Sequence, residues 1–471
     1  MKVMLIYPIS KFFKESVSLV GYSLYYRVDY PPIALAYIGS YLEKANHKVK
    51  IVDCLIEKYD KDDVKREIKH FDPDVVGVTA NTQIIYDAMK IAQIAKEHNP
   101  NCITVIGGPH VTYMAKETLE ECSFIDVVVR GEGEITLLEL LDKKSSNWNE
   151  IKGITYRLNG KIVSNADRGF IDDLDSLPFP AYHLLSMDKY KAYGHLIKEW
   201  INGKSFAGVL TSRGCPYNCT FCASKTLGKS WRARSPENII EEIKILRDKY
   251  GKKDIEFLDD TFTVSEKRTE RICKLIKQED LDISWFCSTR VDCFTKKIAE
   301  TIHKSGCHSV FFGIESGVQE NLDFFNKGFT LEKAEQSIKI AKKAGLNVIA
   351  YFIIGLPQDN KKKIWQTIKF AKKLNPKIAL FSQLTPLPGS KVYDMAEENN
   401  LILTKDWSKY ITMYDPVIKI PGLTNDELIK YLKNANLSFY IKPSYVLNIF
   451  TEIVSTNSLK ILRNHLKLLA K

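Results

Sequence analysis

The amino-acid sequence predicts an α/β fold class, with a doubly wound parallel sheet followed by a partial (β/α)6 barrel and a helical C-terminal region. Three observations lead to this prediction. Short apolar runs alternate with helical stretches over residues 1–145, the same alternation resumes near residue 206, and residues 396–471 carry mainly helical patterns. The 471 residues agree with about three domains, and a composition of 45% hydrophobic and 27% charged residues is ordinary for a globular protein.

The first domain is predicted from five short apolar runs that lie between amphipathic stretches. The runs are 3–7, 49–52, 75–79, 103–106 and 125–129, and the helical stretches are 33–44, 61–70, 85–98 and 112–121. Parallel strands covered on both faces have this nearly continuous apolar character. Because ligands of doubly wound sheets bind beyond the carboxyl ends of the strands, we expect binding residues in the loops after strands three to five.

Those three loops contain small, hydroxyl and amide residues, which let a ligand approach the backbone and supply hydrogen bonds. The candidate binding residues are Thr79, Asn81, Thr82, Gly107, Gly108, Pro109, His110, Arg130, Gly131, Glu132 and Gly133. Neither glycine cluster has the G-x-G-x-x-G spacing of a first βα turn, so a nicotinamide site is not supported. Ordinary turn chemistry is the alternative for each loop.

Residues 146–204 are predicted to connect the two α/β domains. They contain the turn dipeptide Asn159-Gly160 inside a β-hairpin predicted at 151–163. The long loop after the first strand is rich in tyrosine, and its side chains are expected either to wall a gap between domains or to pack as an ordinary loop. These tyrosines are Tyr22, Tyr25, Tyr26 and Tyr30.

The second domain, 205–395, is predicted from six further βα units. Its strands are 207–211, 255–258, 284–288, 309–313, 348–354 and 378–383, and its helices are 237–250, 266–277, 296–304, 331–344, 362–374 and 391–399. A complete eight-unit barrel needs about 250 residues, so six units predict a barrel that is open on one side. The C-terminal helices at 428–440 and 445–469 form either a packing subdomain or a lid, with a surface for a lipid-like substrate as a further alternative.

Three of the ten cysteines are bunched directly after the first barrel strand, as Cys215, Cys219 and Cys222 in a C-x3-C-x2-C spacing. Thiolates at this spacing can converge on a soft metal centre. A structural zinc site requires four protein ligands, and no nearby fourth Cys or His completes the set. Three thiolates on a four-iron, four-sulfur cluster leave one iron open for a substrate or cofactor. The other seven cysteines are expected to be small core residues.

This cysteine loop, placed after the first strand of a six-unit partial barrel, resembles the signature of radical S-adenosylmethionine (SAM) enzymes. The ends of the other barrel strands continue the resemblance, with Phe257 to Phe262, Ser288 to Asp292, Gly313 to Gly317, Phe352 to Pro357 and Leu384 to Ser390. The resemblance implies a [4Fe-4S] cluster on the three cysteines and SAM on its open iron. It also implies SAM contacts from Phe221, Asp259, Arg290, Glu315, Ser316, Ile354 and Gly355. A structural ion-pair network at the barrel top is the alternative for Asp259, Arg290 and Glu315.

With this barrel after it, the first domain is similar to the cobalamin-binding subfamily of radical SAM enzymes, which includes the class B methyltransferases and the anaerobic cyclases. The resemblance covers residues 1–395 and implies that the eleven loop residues of the first domain bind cobalamin. The D-x-H-x-x-G motif, whose His ligates cobalt, is absent from the sequence. His110 is therefore weighed as a neighbour of the lower cobalt face against an ordinary hydrogen-bonded turn histidine.

The resemblance implies reductive cleavage of SAM to a 5′-deoxyadenosyl radical and methyl transfer through methylcobalamin to a substrate carbon. A non-methylating cyclase or ring-rearranging enzyme of the same subfamily is the first alternative. The tRNA methylthiotransferase type is a second, but Cys54, Cys102 and Cys122 give no convincing match to its additional cysteines. A non-catalytic cobalamin or redox sensor is a third, and the complete cysteine triad argues against it.

Charge and hydropathy set the expected partners. The net charge is +11, and no Arg/Lys block interleaved with aromatic residues indicates nucleic acid. The expected partners are a small-molecule or lipid-like substrate and an electron donor such as ferredoxin or flavodoxin. No apolar run approaches the ~20 residues of a membrane span, and the start has no signal-peptide pattern. These features predict a cytoplasmic protein, with peripheral membrane contact left open.

Overall fold

The computed structural model describes residues 1–8, 27–143, 145–193, 205–228, 230–411 and 416–440. The predicted helix at 445–469 and the loop tyrosines Tyr22, Tyr25 and Tyr26 lie outside the described residues. The strands are β1 Lys2–Tyr7, β2 Arg27–Val28, β3 Lys48–Asp53, β4 Val75–Thr79, β5 Ile103–Gly107, β6 Val127–Val129, β7 Ile154–Leu158, β8 Lys161–Ser164, β9 Ala192–Tyr193, β10 Phe206–Val209, β11 Ser212–Arg213, β12 Arg232–Ala233, β13 Asp254–Phe257, β14 Ser284–Thr289, β15 Cys307–Glu315, β16 Asn347–Ile354 and β17 Ile378–Gln383.

The α-helices include every helix that the sequence predicts within the described ranges, and three further helices that it does not predict. They are α1 Ile33–Lys44, α2 Cys54–Glu57, α3 Lys61–Phe71, α4 Ile85–His98, α5 Pro109–Tyr113, α6 Ala115–Glu121, α7 Glu134–Asp142, α8 Pro236–Tyr250, α9 Glu266–Gln278, α10 Lys296–Lys304, α11 Gln319–Phe324, α12 Leu331–Lys343, α13 Lys361–Leu374, α14 Lys391–Glu398 and α15 Asn425–Tyr440. Local chemistry sets many ends. Helix α8, for example, starts with Ser235 as N-cap and ends at Gly251 in the left-handed region.

The first sheet has the order β3-β1-β4-β5-β6-β7-β8. Its first five strands are parallel, and the order reverses at β1, which pairs with both β3 and β4. Strands β7 and β8 form the predicted hairpin, and β7 pairs antiparallel with β6. The hairpin thus extends the doubly wound sheet by two strands, because β6 would otherwise present an unpaired edge.

The second sheet has the order β10-β13-β14-β15-β16-β17 and every neighbouring pair in it is parallel. This confirms the predicted fold class of a six-stranded partial barrel behind a doubly wound domain. Outward-facing strand residues pack under helices α8 to α13 in one large core that also includes Leu428 and Phe439 of α15. A smaller cluster of inward-facing residues closes the floor of the barrel. No helix in the described ranges combines the length and the apolar character that a membrane span needs.

The helix predicted at 112–121 is two helices, α5 and α6, which meet at Met114. Gly108 begins this segment with φ +112, and a Cβ there would lie 2.6 Å from the carbonyl oxygen of Ala80. The loop after β5 therefore packs directly on the loop after β4, and a glycine is required at the point of contact. This brings two of the three predicted binding loops together.

Candidate functional site

The cysteine loop is closed at its base by a two-residue strand pair. Ser212 and Arg213 of β11 pair antiparallel with Ala233 and Arg232 of β12. Gly214 then turns the chain with φ +79, and a Cβ at this position would collide with the carbonyl oxygen of Ser230. The geometry thus explains the glycine that precedes the first cysteine, since only glycine adopts this conformation in so little space.

The three cysteine thiols of the loop are free and half-buried. Burial raises the pKa of Cys215 and of Cys222, and the nearby Asp260 carboxylate raises both further. The backbone N–H of Ser224 donates to Cys222 Sγ at 3.3 Å. Within the described ranges, no three His, Cys, Asp or Glu side chains are placed to hold one metal ion. A single metal ion needs its ligands to meet at one point, whereas in an iron–sulfur cluster each cysteine binds a different iron. The three separate thiols of this loop therefore fit a cluster.

The loop is fixed to the rest of the barrel top by its backbone and by one ring. The Thr220 N–H donates to the Phe325 carbonyl at 3.0 Å, and the Val392 N–H donates to the Thr220 carbonyl at 3.0 Å. The Phe221 ring packs edge-on against Phe325, with 4.8 Å between ring centroids. Phe221, predicted to contact SAM, is thus a half-buried wall between the cysteines and the segment after β15.

Asp259 follows β13 and is fully engaged by the loop before the cysteines. Its carboxylate accepts the backbone N–H groups of Thr211 at 2.7 Å and Ser212 at 2.9 Å, and also the Thr211 hydroxyl. Burial raises the pKa of Asp259, while the Arg268 charge and these donors oppose that effect. In the described structure Asp259 orients the strand end that leads into the cysteine loop. Its predicted contact with SAM stays a prediction.

Arg290 follows β14 and lies against the cysteine loop. Its guanidinium stacks on the Tyr217 ring at 3.6 Å and its Nη1 lies 3.5 Å from Cys219 Sγ. The Asp292 carboxylate accepts from Nε at 3.0 Å and from Nη2 at 2.9 Å, and the Lys327 carbonyl accepts from Nη2 as well. A guanidinium held by these contacts thus places positive charge beside the Cys219 sulfur.

Glu315 and Ser316 end β15 in different environments. Glu315 has φ +68, and its Oε1 accepts from Lys327 Nζ at 3.1 Å in a pair that is almost completely buried. Both groups lie close to Gly313, where a side chain would meet the Glu315 carboxylate and Lys327 Nζ. A buried pair and a strained backbone at one strand end are typical of a functional site.

Ser316 belongs to a hydrogen-bonded chain that reaches the end of β16. Its Oγ accepts from Asn321 Nδ2 at 3.2 Å, and Asn321 also donates to Asp359 Oδ1 at 2.9 Å. Asp359 Oδ2 in turn accepts the N–H groups of Gly355 at 2.9 Å and Leu356 at 3.0 Å. Gly355 has φ +84, and its α-carbon lies against Leu428 of α15. Ile354 is buried on the helix side of its strand, so its side chain packs in the core.

The predicted cobalamin loops of the first domain meet at one edge of the sheet. His110 is 2% exposed; its Nδ1 lies 3.2 Å from the Thr82 hydroxyl, and its ring packs edge-on against Trp407 at 5.0 Å. Burial lowers the pKa of His110 to about 4, so the ring is neutral. The structure therefore favours the alternative of a hydrogen-bonded turn histidine, since the buried ring already contacts Thr82 through Nδ1 and packs against Trp407.

Some of the remaining loop residues stabilise turns, and others leave their backbone accessible. Asn81 caps the following turn by accepting from the Gln83 N–H at 3.1 Å, and Pro109 starts α5. Gly131 has φ +72, nothing near its α-carbon, and an N–H that donates to Thr112 at 3.1 Å. Of the predicted set, Pro109 is exposed, and the half-exposed positions are Thr79, Asn81, Gly107, Gly108, Arg130, Gly131 and Gly133.

Arg130 and Glu132 do not lie free at the sheet edge. Arg130 binds the hairpin segment through the Thr155 hydroxyl, the Asn165 carbonyl at 2.6 Å and Asp167 at 2.9 Å. Glu132 accepts from Arg213 Nη1 at 2.9 Å and from Arg232 Nη1 at 3.0 Å. Both arginines come from the strand pair that closes the cysteine loop, so Glu132 joins the two domains.

A second carboxylate completes this contact between the domains, which we call the Arg213 clasp, made of Arg213, Arg232, Glu132 and Glu134. Arg213 Nη2 donates to Glu134 Oε1 at 2.7 Å. All four side chains are less than 8% exposed. Burial lowers the pKa of Arg213, but the Glu134 and Glu132 carboxylates outweigh it and hold the pKa above its ordinary value. The clasp thus fixes the cysteine loop against the first domain.

A further contact between the domains lies on the other side of the cysteine loop. Gly389, in the loop after β17, has φ +85, and its α-carbon packs directly on the Tyr113 ring of α5. Burial raises the pKa of Tyr113, and its hydroxyl is bonded to Thr226, four residues beyond Cys222. Tyr113 thus lies between the predicted cobalamin loop and the cysteine loop.

Several residues of this region were not identified from the sequence. They are Tyr217, Asp260, Arg213, Lys327, Asp359 and Tyr113. Arg213 and Tyr217 flank or interrupt the cysteine spacing, and Asp359 follows the strand-end motif at 352–357, so their position in the sequence was a usable signal. Lys327 gave no local signal, since its partner is twelve residues away.

Comparison with known families gives two matches. Residues 209–371 match the profile of the radical SAM superfamily, and residues 21–141 match that of the B12 binding domain. Together these segments contain the three cysteines and the predicted cobalamin loops.

Curated relatives match over most of the chain. An uncharacterised methyltransferase of Pyrococcus horikoshii is 46% identical over 420 residues, covering 88% of this chain and 89% of the relative. An anaerobic magnesium-protoporphyrin IX monomethyl ester cyclase of Rubrivivax gelatinosus is 30% identical, covering 90% and 76%. Among solved structures, the radical SAM methyltransferase TsrM of Kitasatospora setae, with cobalamin and a [4Fe-4S] cluster bound, aligns with a TM-score of 0.70 at 16% identity, over 94% of this chain and 89% of that one.

Proposed function

This chain belongs to the cobalamin-binding radical SAM family, and from that premise we propose that it transfers a methyl group from SAM, by way of cobalamin, to a carbon of a small-molecule substrate. It is a cobalamin-dependent radical SAM enzyme of the group that contains methyltransferases and cyclases. The finer statement, methyl transfer to carbon, is the proposal. Two similar proteins that are named methyltransferases support it. The Pyrococcus horikoshii protein is similar in sequence, at 46% identity, and TsrM is similar in fold.

The observation that carries the proposal is the direct attachment of the cysteine loop to the loops of the first domain. The Arg213 clasp binds the strand pair at the base of the loop to Glu132 and Glu134. Tyr113 packs on Gly389 at the other side. A reaction that uses SAM at the cluster and cobalamin at the sheet edge requires the two sites to face one gap.

In this proposal Cys215, Cys219 and Cys222 hold the [4Fe-4S] cluster and SAM binds beside it. When bound, these groups supply one-electron cleavage of SAM for hydrogen abstraction, and cobalamin supplies a carrier for the methyl group. Arg290, with Nη1 3.5 Å from Cys219 Sγ, would place positive charge beside the cluster. Phe221 shields the loop from water, and the buried Glu315–Lys327 pair offers polar contacts at the end of β15.

The predicted cobalamin set keeps the half-exposed backbone positions Gly107 and Gly131, where the absence of a side chain allows a planar ring to approach closely, whereas Gly108 packs on the Ala80 backbone. Thr79 and Asn81 supply half-exposed hydroxyl and amide groups beside them. In this proposal His110 does not bind cobalt, because its Nδ1 is hydrogen-bonded to Thr82 and its ring packs against Trp407.

The proposal is tested by following labelled methyl groups from SAM in anaerobically reconstituted enzyme. We expect reduced enzyme to release 5′-deoxyadenosine and to carry label on its corrinoid, and the product to carry label when a substrate is present. Transfer to the corrinoid does not depend on knowing the substrate. Deoxyadenosine release without label on the corrinoid or on any product would refute methyl transfer.

Matched variants make this test specific. Cys219→Ala removes a cluster ligand and should abolish deoxyadenosine release, whereas Cys273→Ala, at a buried cysteine of α9 far from the loop in sequence, should not. Iron near four per chain in the second variant and less in the first is the expected metal analysis. Equal deoxyadenosine release from both variants would contradict the role of the triad.

Ring formation without methylation is a second candidate, and one observation favours it. The cyclase of Rubrivivax gelatinosus is 30% identical over 90% of this chain. The labelling experiment separates the two, because a cyclase consumes SAM without placing its methyl carbon in the product. A low-potential electron donor, such as ferredoxin or flavodoxin, and a cytoplasmic location with or without peripheral membrane contact stay predictions.

A further inference from the structure

The segment that follows β14, residues 290–293, brings a guanidinium against the cysteine loop. Arg290 begins this segment, and its side chain is 7% exposed. Its Nη1 lies 3.5 Å from Cys219 Sγ, a distance at which a charged N–H donates to sulfur. Arg290 is therefore a donor to one of the three sulfurs that the proposed function assigns to the cluster.

The other two nitrogens of this guanidinium are held by oxygen atoms. The Asp292 carboxylate accepts from Nε at 3.0 Å and from Nη2 at 2.9 Å, and the Lys327 carbonyl also accepts from Nη2. Because the nitrogens of a guanidinium lie in one rigid plane, these contacts also fix the direction of Nη1. The contact with Cys219 thus follows from how the whole side chain is held.

Aromatic rings pack on the same guanidinium. The centroid of the Tyr217 ring is 3.6 Å from Cζ, and that of the Phe329 ring is 5.6 Å from it. Tyr217 belongs to the cysteine loop, and its hydroxyl oxygen lies 2.7 Å from Sγ of Cys293 in the segment after β14. The loop and this segment are therefore joined by a cation–π contact and a side-chain hydrogen bond, which limit movement of Nη1 relative to the loop.

The Asp292 carboxylate balances the charge of Arg290, but the two groups do not act equally on Cys219. The carboxylate binds the edge formed by Nε and Nη2, whereas Nη1 is the nitrogen that contacts the sulfur. Asp292 is also 27% exposed, so water weakens its field more than that of the buried guanidinium. The Cys219 sulfur is therefore next to the positive partner of this ion pair.

We propose that Arg290 raises the reduction potential of the cluster by donating an N–H from Nη1 to Cys219 Sγ. Asp292 and Tyr217 hold it in position for this contact. The inference rests on the proposed function, which assigns Cys219 to the cluster. Reduction adds one electron to the cluster, and positive charge and hydrogen bonds at the sulfurs stabilise the reduced state relative to the oxidised one. Arg290 thereby eases the one-electron reduction that precedes SAM cleavage.

The test measures the midpoint potential of the cluster by EPR-monitored redox titration of anaerobically reconstituted protein without SAM. At the potential that reduces half of the wild-type cluster, the ratio of reduced to oxidised cluster should fall about tenfold in Arg290→Gln, a shift of about 59 mV for one electron. Arg290→Lys keeps the charge and should shift the midpoint less. Arg271→Gln removes a surface arginine of α9 that pairs with Glu237, and should leave the midpoint unchanged.

A second measurement does not require any variant to assemble its cluster. Wild-type protein is labelled with nitrogen-15 in its arginine guanidinium groups, and the reduced cluster is examined by pulsed EPR. We expect a nitrogen-15 coupling to the cluster, because a hydrogen bond carries spin density from the sulfur to the donor nitrogen. A wild-type cluster without this coupling would overturn the proposal.

The variants can overturn it in three further ways. These are an unchanged or higher midpoint in Arg290→Gln, a shift in Arg290→Lys as large as that in Arg290→Gln, and an equal shift in Arg271→Gln. The affinity for SAM, measured by equilibrium dialysis, should change less than about threefold in Arg290→Gln. Weaker SAM binding with an unchanged midpoint would refute the proposal and favour the predicted contact of Arg290 with SAM.

These outcomes are separate from the proposed methyl transfer. The midpoint is measured without SAM cleavage, so a failed methyl-transfer assay would leave the effect of Arg290 intact. An unchanged midpoint in Arg290→Gln would likewise leave methyl transfer intact.

Discussion

Replacement of Arg213 by glutamine is expected to weaken the contact between the two domains and to lower the free energy of unfolding. The side chain is 6% exposed and binds Glu132 at 2.9 Å and Glu134 at 2.7 Å. Glutamine preserves much of the volume but supplies no charge and only one amide donor group. Glu132 keeps Arg232 at 3.0 Å, whereas no other cation is paired with Glu134 among the described residues. One buried carboxylate is thus left without its counter-charge.

The size of the effect follows from that single uncompensated charge. Breaking a buried ion pair by removing one partner costs about 3–5 kcal/mol, because the remaining ion has lost its solvent and its counter-charge. Adding Glu134→Gln to Arg213→Gln removes that ion and should restore more than half of the loss, so the two substitutions are strongly non-additive. Arg213→Lys keeps the charge but cannot bind both carboxylates in a fork, and we expect an intermediate loss of about 1–2 kcal/mol.

Urea denaturation of the anaerobic protein, followed by circular dichroism and tryptophan fluorescence, measures these differences. Arg271→Gln is a matched control, because Arg271 pairs with Glu237 at 2.7 Å on the surface and should cost under about 1 kcal/mol. A loss below about 1 kcal/mol for Arg213→Gln, or simple additivity of the double variant, would refute the reasoning. Loss of iron without loss of stability would refute it as well, since it would place Arg213 in the cluster site instead.

Three further predictions concern the loop, the turn histidine and the strand end. Gly214→Ala should lower iron per chain after reconstitution, because a Cβ would collide with the Ser230 carbonyl, while Gly251→Ala, also at positive φ but in open space, should retain full iron; equal iron content would contradict this. The pKa of His110 is lowered to about 4 from 6.5, so the unfolded chain binds a proton first as the pH falls. From pH 7 to 4.5 the wild type should therefore lose about 2–3 kcal/mol that His110→Gln does not lose, and equal pH slopes in urea titrations would rule this out. Asp259→Asn should lower the thermal midpoint, because the Thr211 and Ser212 N–H groups lose a charged acceptor; an unchanged midpoint in calorimetry would exclude that role.

Much of the fold was readable from local pattern. The prediction of helix 33–44 agrees with α1 at both ends, and the six barrel strands and their order are confirmed. Periodicity and caps are local properties, so the sequence reports them directly. The split at Met114 was missed because both halves continue one helical pattern, while the break depends on how Gly108 packs on Ala80.

The candidate site also contains residues that local sequence predicts and residues that it does not. The three cysteines and the glycine before them are adjacent in sequence, and their spacing identified the loop. The roles of Glu132 and Arg130 could not be predicted, because their partners lie between 25 and 100 residues away. A glycine-rich loop that binds a ligand and one that contacts another domain can have the same composition. Only the residues that lie beside the loop in the folded protein distinguish the two cases.

The sequence by itself determined the order of strands and helices, the cysteine spacing and the family that carries this spacing. These follow from neighbours along the chain, where side-chain period and motif spacing are fixed by covalent geometry. The tertiary structure decided which charges meet. It showed that Glu132, whose cofactor contact stays a prediction, binds Arg213 and Arg232 between the two domains, because ion pairs depend on distances between residues far apart in the chain.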